Sequence, residues 1–93
     1  MRTDVFDNTQ LNRFELPITE DESAVCYYKK DGELLILIST EVPFAFTGHG
    51  YASALAEGVF RIIRERRQKV WATCEFMGGY IAKHPELGDL LGR

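Results

Sequence analysis

The sequence contains no apolar run approaching 18 residues, so no segment reads as a membrane-spanning helix. It has no excess of basic residues: 11 Lys and Arg stand against 14 Asp and Glu, a net charge of −3. A chain without a basic stripe lacks the electrostatic footprint of a nucleic-acid binder. Cysteine is scarce. Cys26 and Cys74 lie far apart, form no C-x-x-C pair and join neither His49 nor His84 in a ligand spacing, so no metal site is expected. The polar start, MRTDVFDNTQ, has no apolar core of the kind a signal peptide needs. Together with two cysteines it points to a reducing cytoplasm. There is no internal repeat and no low-complexity segment.

What is present suits one small soluble domain. The 93 residues are 45% hydrophobic, enough for a single core, and are read as one domain over 1–93 with residues 1–10 as a flexible start. Arg13-Phe14-Glu15-Leu16 alternates like a strand, and Pro17 ends it. Residues 24–30 are rich in strand formers, Asp31-Gly32 is a hairpin signal, and residues 33–42 form the return strand. Its middle, residues 34–38, is apolar without alternation, which predicts burial on both faces. Pro43 ends the ladder.

From Gly50 the apolar period becomes helical. Ala52, Leu55, Ala56, Val59, Ile62 and Ile63 share one face, while Glu57, Arg61, Arg64, Glu65 and Gln68 share the other. About 18 residues at 1.5 Å each span roughly 27 Å, enough to cross a sheet. Residues 70–74 form a short strand, parallel to the return strand across a βαβ unit. A second helix covers about 76–84, with Gly78-Gly79 weakening it, and Pro85 opens a last helical turn. The basic group Arg64, Arg66, Arg67 and Lys69 reads as a solvated helix end that complements the dipole.

"FTGHGYASAL", residues 46–55, lies where the first βαβ strand meets its helix. Free N–H groups there, with glycines allowing close approach, suit an anion. Taken alone, the segment is more simply explained as a glycine turn before an amphipathic helix. It is neither a P-loop nor a dinucleotide fingerprint, since no Gly-Lys-Ser/Thr follows and a third glycine is absent.

The order hairpin, strand, glycine turn, long helix, strand, helix resembles the core of the GNAT N-acetyltransferases. Their signature, Gln/Arg-x-x-Gly-x-Gly/Ala, is matched at Gly50 and Ala52 within Thr47-Gly48-His49-Gly50-Tyr51-Ala52, with Thr47 at the Gln/Arg position. The chain is more closely similar to a small single-domain branch. The shared stretches are Arg13-Phe14-Glu15-Leu16, Thr40-Glu41-Val42-Pro43, Lys69-Val70, Cys74, Tyr80-Ile81, His84-Pro85-Glu86 and Asp89-Leu90-Leu91. Ser39 stands where that branch has His.

The resemblance implies an α/β domain with a mixed, mostly antiparallel sheet and flanking helices. It implies that residues 47–52 hold the pyrophosphate of acetyl-CoA through backbone amides, and that Glu41 and Val42 pair their backbone with the pantetheine arm of coenzyme A. It makes Cys74 a candidate nucleophile that takes the acetyl group, at a helix start where thiolates are favoured; a small buried thiol is the competing reading. It makes Tyr80 a candidate proton donor to the leaving thiolate, against a core aromatic. The expected activity is transfer of acetyl from acetyl-CoA to an amine acceptor, a small molecule or a protein. The transfer runs through Cys74 or by direct attack of the amine. The alternative is a non-catalytic acyl-CoA-binding or protein-interaction module on the same fold. Neither nucleic acid nor membrane is an expected partner, and no pattern specifies an oligomeric state.

Overall fold

The computed structural model describes residues 4–92. Five strands form one sheet: β1 (Phe6–Asn8), β2 (Arg13–Pro17), β3 (Ser23–Asp31), β4 (Leu34–Glu41) and β5 (Lys69–Ala72). They lie in the order β1-β2-β3-β4-β5, antiparallel throughout except for the parallel pair β4–β5. Helices α1 (Tyr51–Glu65) and α2 (Glu75–Lys83) precede and follow β5. Short 3-10 turns cover Phe44–Phe46 and Pro85–Leu90. The α/β class, the mixed and mostly antiparallel sheet, and the parallel β4–α1–β5 unit agree with the sequence. Among the described residues no helix is long and apolar enough to cross a membrane.

Alternation along the strands divides the sheet into two faces. Phe14, Leu16, Ala24, Cys26, Tyr28, Leu35, Leu37 and Val70 join Leu55, Val59, Phe60 and Ile63 of α1 and Met77 of α2 in a single core. Both helices therefore cover the same face. The expectation that β4 is buried between helices on both sides is corrected. Leu35 and Leu37 face the helices, Ile36 is buried on the helix-free face between its ladder partners Lys29 and Trp71, and Ile38 is 42% exposed. Ile38 is the extra residue of a bulge, since Tyr28 pairs with Leu37 and Tyr27 with Ser39.

Other boundaries shift for local reasons. The start of the chain, expected as a flexible lead, supplies an edge strand: Phe6, Asp7 and Asn8 pair with Glu15, Phe14 and Arg13. Residues 1–3 of that lead lie outside the described residues. Asp7 accepts hydrogen bonds from the Tyr28 hydroxyl at 2.6 Å and from Arg66 at 2.8 Å, tying β1 to the sheet and to the end of α1. Polar residues with distant partners give no periodic signal, which is why this strand is illegible locally. The hairpin loop is Gly32–Glu33 rather than Asp31-Gly32, because Asp31 still pairs with Leu34. Gly32, at φ 63°, takes the first central position, as in a type II′ turn.

Helix α1 ends in a Schellman arrangement: Arg67 N–H donates to Arg64 O and Gln68 N–H to Ile63 O. Arg67 occupies the left-handed position usually held by glycine, at φ 56°. Three of the basic residues around it have partners within the chain. Arg64 forms a forked pair with Asp89, Arg66 pairs with Asp7, and Lys69 donates to Asp89 O. They fasten residues near both ends of the chain to the end of α1.

Candidate functional site

Strands β4 and β5 stay paired only as far as Leu37 and Ala72. There the chain turns away. The carbonyl of Leu37 accepts three hydrogen bonds, from the Thr73 N–H, the Cys74 N–H and the Thr73 hydroxyl, which anchors the entry to α2. Beyond the Ile38 bulge, the last residues of β4 remain paired with β3 but have no β5 partner. A gap thus opens between the end of β4 and the start of α2.

Cys74 stands at this gap as the N-cap of α2 and is 8% exposed. Its Sγ lies 3.2 Å from the Oγ1 of Thr40 on β4. Thr40 pairs with Cys26 across the β3–β4 ladder. Cys26 is fully buried, and its thiol is pushed up to about 12 by that burial, with the nearby Cys74 adding to the shift and a hydrogen bond with Thr40 opposing it. Both cysteines belong to the buried core; they differ in that Cys26 lies within β3 and Cys74 at the start of α2. Thr40 is the site residue that the sequence did not reveal. Plain alternation from Leu35 and Leu37 points Ser39 at the helices, and the bulge hands that orientation to Thr40.

The glycine segment follows β4 in the chain and leads into α1. Gly48 and Gly50 have φ of 81° and 84°, and a Cβ at either would meet nothing within 4 Å. Their identity follows from the left-handed backbone, and the space above them is open. Gly50 caps α1 without any side-chain bond, and the first helical bond runs from the Ala54 N–H to the Gly50 O. The N–H groups of Tyr51, Ala52 and Ser53 are thus the unused donors of the first turn. No acidic residue occupies that turn. His49 is exposed, and Thr47 turns its hydroxyl back onto the Phe44 carbonyl at 2.9 Å. Tyr51 packs edge-on against Phe46. Glu41 and Val42 line a cavity of about 300 Å³ with Arg13, Asp21, Ser23 and Tyr27.

Tyr80 is six residues beyond Cys74, which on a helix turns it well away from the β4 side. Its ring stacks on Phe60 of α1 at 5.7 Å and on His84 at 4.1 Å. Burial, with Glu57 and Glu86 adding to it, raises its hydroxyl above the usual tyrosine range. Its ring partners are Phe60, Phe76 and His84 rather than Cys74. His84 also approaches Glu86, with Nδ1 3.3 Å from the carboxylate.

The arrangement comprises free backbone donors at one helix start, a strand end without a partner on its β5 side, and a thiol at a second helix start. A family model described as GCN5-related N-acetyl-transferase matches residues 13–90. A GCN5-like protein from Staphylococcus aureus, solved in solution by NMR, aligns with a TM-score of 0.68 at 21% identity, covering 97% of this chain and 88% of that one. That likeness is one of fold. No curated protein matches the sequence.

Proposed function

The chain belongs to the GCN5-related N-acetyltransferase family, and we propose that it binds acetyl-CoA and transfers the acetyl group to an amine. When bound, acetyl-CoA supplies an activated thioester. The first turn of α1 suits its pyrophosphate, because residues 51–53 offer backbone donors, the helix dipole adds positive potential, and the glycines leave the approach open. Glu41 and Val42, at the end of β4 that has no β5 partner, would offer their backbone to the pantetheine arm. The observation that carries the reading is the Thr40–Cys74 contact at the mouth of the β4–β5 gap.

In this reading Cys74 is the nucleophile. A hydroxyl at 3.2 Å can donate to its sulfur, and the start of α2 favours negative charge there. Its thiolate would take the acetyl group and release the coenzyme as a thiolate; the amine would then attack the acetyl carbon and expel the Cys74 thiolate, and the proton lost by the amine would end on the coenzyme sulfur. Tyr80, whose ring stacks on Phe60 and His84, is the proposed proton donor to the leaving coenzyme thiolate.

A non-catalytic acyl-CoA-binding module is the second reading. It is favoured by one observation: Thr47 is bonded back to Phe44, so the residue at the Gln/Arg position adds no cation to the loop. Mass spectrometry of the intact protein after mixing with acetyl-CoA separates the two. One added acetyl group, retained in Cys26→Ala and lost in Cys74→Ala, supports the enzyme. Calorimetric binding of CoA without label and without transfer to any amine supports the module. Absence of CoA binding overturns both.

A further inference from the structure

Arg67 is held in the left-handed region at φ 56°, the place that glycine usually takes where a helix ends. The backbone there favours glycine, yet the chain carries a long cationic side chain. That side chain has no ion-pair partner among the described residues. A strained residue without an internal partner marks a candidate functional position.

Arg67 borders a cavity of about 330 Å³ together with Lys30, Glu33, Arg66 and Lys69. Three segments meet there: the end of β3, the loop of the β3–β4 hairpin, and the stretch that joins α1 to β5. The ladder pair Leu34–Lys69 holds the hairpin against the start of β5. The dipole of α1 accounts for cations on its own last turn, but not for Lys30, which comes from β3. The negative end of that dipole is itself closed: the carbonyls of Ile62, Ile63 and Arg64 accept the N–H groups of Arg66, Gln68 and Arg67. Lys30, like Arg67, has no ion-pair partner among the described residues. Lys69 donates to the neutral carbonyl of Asp89 and so keeps its charge, whereas Arg66 meets the carboxylate of Asp7. The four cations, set against Asp7 and Glu33, leave about two positive charges around one cavity in a chain whose net charge is −3.

We propose that this cavity binds a phosphomonoester, a small molecule carrying one phosphate as a dianion. The charge of such a group, close to about −2 at neutral pH, matches the two uncompensated cations. A carboxylate monoanion leaves one of them unmatched. The guanidinium of Arg67 offers a planar fork to two phosphate oxygens, and the ammonium groups of Lys30 and Lys69 act as point charges beside it. A concavity between three segments suits a small molecule better than the flat face of a macromolecule. The site lies at the end of α1 away from the glycine segment, and the 15 residues of that helix put roughly 22 Å between them. It is a second site, and it does not depend on the acetyl-CoA reading.

The test is a titration of the isotope-labelled full chain with glycerol 3-phosphate, followed through backbone amide shifts by NMR. Glycerate, a carboxylate monoanion of similar size, is the control. Saturable shifts are expected at residues 30–33 and 66–69, with glycerate at least about tenfold weaker. Arg67→Gly should weaken glycerol 3-phosphate by about tenfold, the scale of a hydrogen bond between charged groups, while the protein stays folded. Lys30→Ala, an exposed change that leaves the turn intact, should weaken it about fivefold. Shifts confined to residues 48–53 would put the phosphate at the start of α1 instead and overturn the second site. So would the absence of saturation, glycerate binding as tightly as the phosphate, or an Arg67→Gly variant with wild-type affinity.

Discussion

The Oγ1 of Thr40 and the Sγ of Cys74 lie 3.2 Å apart, across the point where β4 and β5 separate. One residue ends a strand and the other begins a helix, and 34 positions of chain, including all of α1, separate them. If the hydroxyl donates, it stabilises the thiolate, and Thr40→Val removes that donor at nearly constant volume. The rate of iodoacetamide alkylation at Cys74 near pH 8 should then fall by about tenfold, the scale of a hydrogen bond to a charged group. An unchanged rate would mean that the thiol is the donor and that Thr40 has no part in activating it.

Stability should decline in alkali, and Cys26 should be one cause. Its folded-state value is raised to about 12, chiefly by burial, whereas an unfolded thiol titrates near roughly 8.5. The native state therefore keeps a proton that the unfolded chain releases. This contribution is complete below about pH 8.5 and is lost as pH rises toward 12, at up to about 1.4 kcal/mol per unit. Tyr28, raised first by burial and then by its bond to Asp7, adds to the decline above about pH 10. Urea midpoints between about pH 7 and 10 should fall, and Cys26→Ala should flatten the fall between about 8.5 and 10. The same slope in both proteins would remove Cys26 from the explanation.

Glycines within the helices should respond in opposite directions. A Cβ at Gly58 would run into Val5, so Gly58→Ala should cost about 1–3 kcal/mol by overpacking, despite its better helix propensity. Gly78→Ala and Gly79→Ala meet open space and should each stabilise by about 0.5–1 kcal/mol. Urea unfolding of the three variants measures this. Destabilisation by alanine at Gly78 or Gly79 would mean that the fold requires those glycines after all.

Arg67→Gly should raise stability by about 0.5–1 kcal/mol. Arg67 closes α1 in the left-handed region at φ 56°, where a Cβ is strained. Gain from relieving that strain exceeds the greater freedom of glycine in the unfolded chain. Thermal melts of the two proteins should show the difference, and a lower melting temperature in the variant would show that the arginine side chain contributes more than its backbone costs.

The local sequence determined most of the elements by itself. The strand formers over 24–30, the helical period after Gly50 and the hairpin glycine each express steric or burial preferences within a few residues, so they can be read without knowing what they touch. The glycine segment and Cys74 stood out as candidates only through the family resemblance, not through local preference. Three things needed the tertiary structure. Strand β1 forms because Asp7 finds Tyr28 and Arg66, partners far away in sequence. The burial of β4 follows from helices packing on one face only. The pairing of Thr40 with Cys74 depends on a single bulged residue, Ile38, which reverses the facing of everything after it. A bulge changes side-chain parity without leaving a local signature, because its cause lies in how β3 and β5 pair with the two edges of β4.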